Sequence, residues 1–369
     1  MVAAASVVVA VGTATGMMTA LADGHGADEA RPGVTSSPRL EQLPVLPSAS
    51  ATNSLSPKPS YSKRPSLSPT RTEKKPEPTP ASARLYLHPD SQVLDWVRAH
   101  PGDPRTPVIE SRIADQPAAV WFADFTPSTI ASRVRAVTSG AAAQGRVPVL
   151  VAYAIPDRDC GGASQGGAPD LDAYDDWIDG FAAGLGSGEV VVVLEPDSVA
   201  QSDCLPGDQR ADRFASLARA GRVLKAADPE ARVYYDAGHS SWNTPAKQAS
   251  LLKQAGAASA ASSDGIFSNV SNFHTTSDEI TYDREVLAAL GGPAGLGAVI
   301  DTSRNGNGAP ADGQWCDPAG RRIGRAPTLS TGEARIDAYL WVKLPGESDG
   351  CKGAAGTFSP SYAYALASS

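Results

Sequence analysis

Seven short apolar runs, separated by segments of helical periodicity, constrain this 369-residue chain more than any other feature. Several are continuously apolar, as in Val190–Leu194, which is typical of strands buried on both faces. The intervening residues 169–186 and 208–227 place apolar side chains at helical spacing. Alternating strands and helices imply a parallel sheet, and seven repeats favour closure. We therefore predict an α/β fold, a distorted TIM-like (β/α) barrel of about seven parallel strands, at residues 118–125, 147–154, 190–197, 232–238, 265–273, 297–304 and 338–346.

Two segments of different composition precede the barrel. Residues 1–22 are apolar and end in an Ala-Leu-Ala cleavage pattern, which predicts a signal peptide. They lack a basic start, so an uncleaved membrane segment that tethers the protein to the cell surface is the alternative. Residues 23–83 are rich in Pro, Ser and Thr and predict a disordered linker. We then expect residues 84–369 to form the folded domain of a secreted, monomeric protein.

The net charge and the cysteines limit which partners and which cross-links this chain can have. The net charge is −8, and the negative charge is concentrated after residue 80. An acidic domain binds nucleic acid poorly, so we expect a neutral substrate and no nucleic-acid partner. The four cysteines, Cys160, Cys204, Cys316 and Cys351, form no Cys-x-x-Cys pair. An even number in an exported protein predicts two disulfides with three available pairings; four buried free thiols are the alternative.

Polar side chains follow nearly every predicted strand. Chemistry in (β/α) barrels lies at these carboxyl ends of the strands. The residues there are Tyr153, Asp159, Glu195, Asp197, Asp236, Asn269, Asn272, Asp301, Lys343, Glu347 and Asp349, with Trp121, His239, Trp242 and Trp315 nearby. The set predicts one site rich in carboxylates, amides and indoles.

These residue types favour acid–base chemistry on a sugar. The chain contains no G-x-S-x-G, Walker or H-E-x-x-H motif, and its acids have no metal-ligand spacing, so we predict neither metal nor cofactor. Indole faces stack on pyranose rings, while carboxylates and amides bind hydroxyls. Glycoside hydrolysis requires two carboxyl groups, one of which donates a proton.

Six ordered motifs resemble glycoside hydrolase family six, the inverting cellulases, in its actinobacterial secreted endoglucanase form. The resemblance covers the chain from about residue 85 to 369, and the motifs read "VLVAYAIPDRDCGG", "LEPDSVAQSDC", "YYDAGHSSW", "AVIDTSRNGNG", "WCDPAGRRIG" and "WVKLPGESDGC". The resemblance implies hydrolysis of β-1,4-glucan with inversion of the anomeric centre.

The resemblance also implies roles for individual residues. Asp197 would be the general acid, Asp159 would raise its pKa or hold a water chain, Asp349 would be the candidate base and Tyr153 would distort the sugar ring. Cys160 would pair with Cys204 and Cys316 with Cys351. Hydroxyls would be bound by Asp236, His239, Asn272, Lys343 and Glu347, and rings would stack on Trp121, Trp242 and Trp315.

Several of these residues have a structural interpretation as well. Glu195 is equally a reactant or a buried support for Asp197, and Asp301 is equally a turn residue. His239 also fits a core histidine, and Trp177 lies in a helical pattern that predicts a core residue.

Two departures from the family favour internal cleavage. Cellobiohydrolases of the family usually carry a second tryptophan where this chain has Pro245, and few residues between Cys316 and Cys351 are available to build a tunnel. We therefore predict an endo-β-1,4-glucanase with an open cleft. An exo-acting cellobiohydrolase and a non-catalytic glycan-binding protein are the alternatives.

Overall fold

The computed structural model describes residues 84–369. The predicted export segment (1–22) and linker (23–83) lie outside the described residues. Among the helices that are described, none combines the length and apolar character needed to cross a membrane.

All seven apolar runs form strands, each shorter than the run that predicts it. They pair in parallel in chain order, as the barrel prediction requires. The strands are β1 Val120–Phe122, β2 Val149–Ala152, β3 Val190–Leu194, β4 Ala231–Asp236, β5 Gly265–Ser268, β6 Gly297–Asp301 and β7 Ile336–Leu340.

The sheet curls until its two edges meet. The Ala119 amide, next to β1, donates to the Trp341 carbonyl next to β7 at 2.9 Å. The Trp121 indole donates to the Val342 carbonyl at 2.7 Å across the same seam. No ladder pairs β1 with β7 in the described chain. The seven-stranded distorted barrel is therefore confirmed, and it closes through isolated contacts.

Helices cover the outside of the sheet. They are α1 Gln92–Ala99, α2 Thr106–Ile109, α3 Ile130–Ala143, α4 Leu171–Ala183, α5 Gly207–Ala227, α6 Pro245–Gln254, α7 Thr276–Leu290 and α8 Pro360–Ser368. The two predicted helical segments are α4 and α5. Helix α4 begins where the Asp170 carboxylate accepts the Ala173 amide at 2.8 Å, an N-cap that satisfies a free backbone donor.

The core has an inner and an outer layer. Along β3, Val191 and Val193 point into the barrel, whereas Val192 and Leu194 pack under the helices. Both faces are buried, which explains why the run is continuously apolar rather than alternating. Trp177 on α4 is fully buried in the outer layer, so its prediction as a core residue is confirmed.

The connection from β6 to β7 differs from the others. Residues 302–335 contain no helix, so this crossover is a long loop rather than the expected helical segment. A loop of this length in a compact domain usually has a functional role. It carries Trp315 and Cys316 to the same end of the barrel as the predicted site.

Candidate active site

A cavity of about 1840 Å³ lies at the carboxyl ends of the strands. Eleven of the twelve predicted catalytic and binding residues line it: Trp121, Tyr153, Asp159, Asp197, His239, Trp242, Asn272, Trp315, Lys343, Glu347 and Asp349. The ends of parallel strands meet at one rim, so residues more than 200 positions apart in the chain converge.

Asp236 lies below the cavity rather than in it. Its carboxylate is buried and accepts the backbone amides of Val199 (3.1 Å), Ala200 (2.8 Å) and Gly238 (2.9 Å). The oxygens predicted to bind sugar hydroxyls are thus used to hold the loop after β3. The prediction of a substrate contact for Asp236 is corrected to a bracing role.

Asp197 follows β3 in a left-handed conformation, with φ of 69°. Such backbone strain in a non-glycine residue is typical of functional sites. Burial raises the pKa of Asp197 to about 8, and the neighbouring carboxylates of Asp236 and Asp159 add to the shift. A hydrogen bond from Tyr153 acts in the opposite direction. The environment therefore keeps Asp197 protonated at neutral pH.

Glu195, two residues earlier, has a different environment. It is fully buried, and its carboxyl group accepts the amides of Ala154 (2.9 Å) and Ile155 (3.0 Å) after β2. Burial raises the pKa of Glu195 to about 7. Because it does not line the cavity, the structure favours the support interpretation over that of a reactant.

A disulfide joins the loops that follow β2 and β3. Cys160 pairs with Cys204, with 6.1 Å between their Cα atoms. Asp159 immediately precedes this bridge and has φ of 55°. One of its carboxylate oxygens accepts the Ser164 amide at 2.7 Å. The Asp159 side chain is thus fixed from two directions at the edge of the cavity.

Asp349 is held by cations and by a backbone amide. Its Oδ2 atom accepts from the buried Arg304 guanidinium at 2.7 Å and from the Asp317 amide at 3.1 Å. The Lys343 ammonium lies 3.7 Å from Oδ1. Oδ2 is therefore occupied by protein donors, which leaves Oδ1 to face a ligand or water.

Aromatic rings occupy several walls of the cavity. Trp121 packs edge-on against Tyr153 at 5.3 Å, and Trp315 is 57% exposed. His239 contacts Trp242 at 5.2 Å and stacks on His274 at 4.2 Å. Burial lowers the pKa of His239 to about 3, with a further contribution from His274, so the ring is neutral. His239 is part of the cavity wall as well as being packed.

Glu347 lines the cavity two residues before Asp349, beside Gln92 of α1. Burial raises its pKa to about 7, and Lys343 and Arg304 act against that shift. The Gln92 amide lies 3.5 Å from its carboxyl group. Glu347 is therefore placed to exchange a proton or a hydrogen bond near neutral pH.

Comparison with known proteins identifies the family. The family model described as glycosyl hydrolases family 6 matches residues 82–368. The chain belongs to glycosyl hydrolase family 6. It is 54% identical over 287 residues to endoglucanase 1 of Streptomyces sp. (strain KSM-9), a match that covers 78% of each chain. It is 50% identical to endoglucanase A of Thermobispora bispora over 77% of this chain and 61% of that protein.

A solved relative from the same family has the same fold. It is an endoglucanase of Mycobacterium tuberculosis in complex with methyl-cellobiosyl-4-deoxy-4-thio-β-D-cellobioside. The match is 40% identical, covers 76% of this chain and 95% of that chain, and has a TM-score of 0.70. The predicted family and barrel are thus confirmed together.

The second disulfide of this family 6 chain links the β6–β7 loop to the loop after β7. Cys316 pairs with Cys351, and the described residues contain no free cysteine. The pairing implied by the resemblance is confirmed, and the alternative of four free thiols is wrong. Both bridges lie beside an acid that lines the cavity, Asp159 or Asp349.

Sequence reasoning missed three residues of the family 6 site. Arg304 and Asp317 contact Asp349, and His274 lines the cavity. Arg304 and Asp317 lie within the family motifs, in "IDTSRNG" and "WCDPAG", but nothing in the sequence distinguishes a buried Arg from a solvated one.

Asp301 accepts the amides of Ser303 (2.9 Å) and Lys343 (3.1 Å), which confirms its turn interpretation.

In the part of the chain that the structure describes, no group of three or more His, Cys, Asp and Glu side chains is arranged to hold a metal ion.

Proposed function

We propose that this family 6 glycoside hydrolase cleaves internal β-1,4 bonds of cellulose-like glucans with inversion, using Asp197 as general acid and Asp349 as base. One observation carries the proposal: two carboxyl groups in a single cavity have opposite environments. Burial and neighbouring acids keep Asp197 protonated, whereas Arg304 and Lys343 surround Asp349 with positive charge. Pairs of acids with opposed environments are typical of an acid and a base.

The proposed reaction uses Asp197 as the proton donor and Asp349 as the proton acceptor. Asp197 donates its proton to the glycosidic oxygen while the bond from that oxygen to the anomeric carbon breaks. The bonding electrons stay on the departing hydroxyl. A water molecule attacks the anomeric carbon from the opposite face and passes a proton to Asp349. The new hydroxyl then has inverted configuration, and the enzyme is restored when Asp349 releases its proton to solvent and Asp197 takes one up.

The substrate assignment draws on the cavity and on the relatives. Lining residues come from 87–93 near α1 and from 270–274 after β5, and the volume of about 1840 Å³ exceeds the roughly 300–1,000 Å³ of an ordinary small-molecule pocket, which fits a chain of several sugars. Exposed Trp315 and half-buried Trp121 offer indole faces, which stack on the apolar faces of sugar rings. The two curated relatives compared above are named endoglucanases, and one solved relative holds a thio-linked cellobioside derivative.

Product analysis on cellohexaose tests the reaction. We expect NMR to show α-anomers first, and no turnover in Asp197→Ala, while calorimetry still detects oligosaccharide binding. Asp197→Asn is the matched control for side-chain volume and should be equally inactive, since an amide cannot donate the proton. Initial β-anomers would contradict inversion, and a near-normal rate in either variant would refute the acid assignment.

Viscosity measurements test the mode of cleavage. Internal cleavage thins a soluble cellulose derivative long before many reducing ends appear. Release of reducing sugar without thinning would instead favour the exo-acting cellobiohydrolase.

The proposal extends to export. An oxidising compartment fits both disulfides, because such bridges persist mainly outside the cytosol. We propose that residues 1–22 direct export, that residues 23–83 act as a linker and that the enzyme works as a secreted or surface-tethered monomer. Detection of full-length protein only in the cytosol of the producing cell would refute this.

A further inference from the structure

We propose that Asp317 is a positioning residue that places Asp349 through a dense set of hydrogen bonds to the loop after β7. The inference rests on the proposed role of Asp349 as base, and it adds a residue that does not line the cavity. Asp317 is therefore not a catalytic residue, since it touches neither substrate nor reacting atoms.

The Asp317 carboxylate gathers the donors of a single short loop. Its Oδ1 atom accepts the Asp349 amide at 2.8 Å. Its Oδ2 atom accepts the Ser348 hydroxyl at 2.6 Å and the amides of Cys351 (3.0 Å) and Lys352 (2.8 Å). A carboxylate with four such bonds binds its loop far more firmly than one neutral hydrogen bond does.

The contact between the two acids is reciprocal. The Asp317 amide donates to Asp349 Oδ2, while the Asp349 amide donates to Asp317 Oδ1. The first bond fixes the side chain of Asp349 and the second fixes its backbone. Together with Arg304, they determine which Asp349 oxygen remains available. Among the described residues, Asp317 alone bonds to both the backbone and the carboxylate of Asp349.

Burial and backbone conformation show how specialised this position is. Asp317 and Asp349 are 4% and 8% exposed, and Ser348 is fully buried. Asp317 has φ of 46°, a left-handed conformation that short polar side chains tolerate better than most. Burial alone would raise its pKa, but the bonds from Ser348 and from three amides outweigh it and lower the pKa. Asp317 therefore keeps its charge, and with it its acceptor bonds, to lower pH than an ordinary aspartate does.

The neighbouring disulfide does not duplicate this function. Cys316 and Cys351 tie the two loops together at one point, next to Asp317. A single covalent link leaves the chain on either side free to rotate. The four bonds to Asp317 fix the orientation of residues 348–352, and a base must be placed within a fraction of an ångström to act.

A double-mutant cycle distinguishes positioning from a general effect on the fold. The variants are Asp317→Ala, Asp349→Ala and the pair, assayed on cellohexaose. We expect Asp317→Ala to lower kcat by roughly tenfold or more, with KM changed less than about threefold. In the Asp349→Ala background the same substitution should change kcat by less than about twofold, because the residue being placed is gone.

Two further variants keep the test decisive. Asp317→Asn retains one acceptor oxygen for Ser348, Cys351 and Lys352 but turns an NH₂ group toward the Asp349 amide. It should fold as the parent does and give a kcat between those of the parent and Asp317→Ala. Asp228→Ala removes another fully buried aspartate, which accepts the Glu230 amide outside the cavity, and should leave kcat unchanged.

Three outcomes would overturn the proposal. A parental kcat in both Asp317 variants would show that Asp349 needs no such placement. An equal loss with and without Asp349 would show that Asp317 acts independently of the base. A parental kcat in Asp349→Ala alone would refute the proposed base and remove the reason for placing it, an outcome that the single variants identify directly.

Discussion

Replacing Asp159 by asparagine should move the alkaline limb of the pH–rate profile. Asp197 must be protonated to act as an acid, and its pKa is raised from 3.8 to about 8. At pH 7 a carboxyl group with a pKa of 8 is about nine-tenths protonated. With the ordinary value it would hold a proton in about one molecule in 1,600. The environment of Asp197 therefore accounts for nearly all of the protonated Asp197 that is present at neutral pH.

The size of the shift follows from the charge that is removed. Burial is the largest cause of the raised pKa, followed by Asp236 and then Asp159. Across an effective dielectric constant of about 20, a unit charge changes a pKa by about one unit at 12 Å and about two at 6 Å. We expect Asp159→Asn to lower the limb by about one to two units. At pH 7 the protonated fraction of Asp197 would then fall to between about a tenth and a half.

The assay is kcat/KM against pH on cellohexaose, a neutral substrate that does not titrate. This ratio reports the free enzyme, and the position of its limb is independent of any loss in maximal rate. Asparagine retains an oxygen that can accept the Ser164 amide, so the loop remains braced. Asp157→Asn is the matched control, since Asp157 is exposed on the same loop and does not line the cavity.

Two results would refute this reasoning. An unmoved limb in Asp159→Asn would show that Asp159 does not act on Asp197 electrostatically. A limb near pH 4 in the parent enzyme would show that Asp197 is not held protonated at all.

Three further predictions concern stability and binding. Opening the Cys160–Cys204 bridge, whose cysteines are 44 residues apart, should lower the free energy of unfolding by about 4 kcal/mol, and opening Cys316–Cys351, with a separation of 35, should lower it by nearly the same amount. Urea titration of paired Cys→Ser variants measures both losses. Losses that differ by more than about 2 kcal/mol would contradict the loop-entropy argument. Burial raises the pKa values of Glu279 and Asp283, and neither Oε2 of Glu279 nor Oδ1 of Asp283 has a hydrogen-bond partner. The folded state therefore keeps protons on these carboxyl groups that the unfolded chain releases above about pH 4. Stability must then fall as pH rises from there, and Asp283→Asn should flatten the dependence of Tm on pH; an unchanged slope would argue against a buried protonated pair. Trp315→Ala should weaken cellohexaose binding about two- to tenfold with kcat little changed, measured by calorimetry and kinetics, whereas unaltered affinity would remove Trp315 from the binding surface.

The strands were predictable because burial on both faces leaves a plain signature in sequence. A run such as Val190–Leu194 fits almost nothing else when followed by a turn and a helical segment. The absence of a helix between β6 and β7 was not predictable, because hydrophobic periodicity does not specify how a chain crosses the sheet. The rim position of most site residues follows directly from their place after a strand.

The predictions from sequence were wrong where the direction of a side chain decides its role. Asp236 and Asp197 both follow apolar strands, yet one carboxyl group turns inward to backbone amides and the other lines the cavity. That choice depends on where the neighbouring loop offers its N–H groups, which only the folded chain specifies. Arg304 was missed for a related reason: its full burial depends on Asp349, 45 residues later.

The seam between β1 and β7 has a consequence for how a polymer is handled. Complete barrels close their rim with a continuous wall of paired strands, but here one backbone bond and one indole bond join the edges. Ala118, Ala119 and Leu344 on either side of this junction line the cavity. A long glucan lying in the cavity would therefore pass beside the least reinforced part of the rim, where two bonds rather than a strand ladder join the edges.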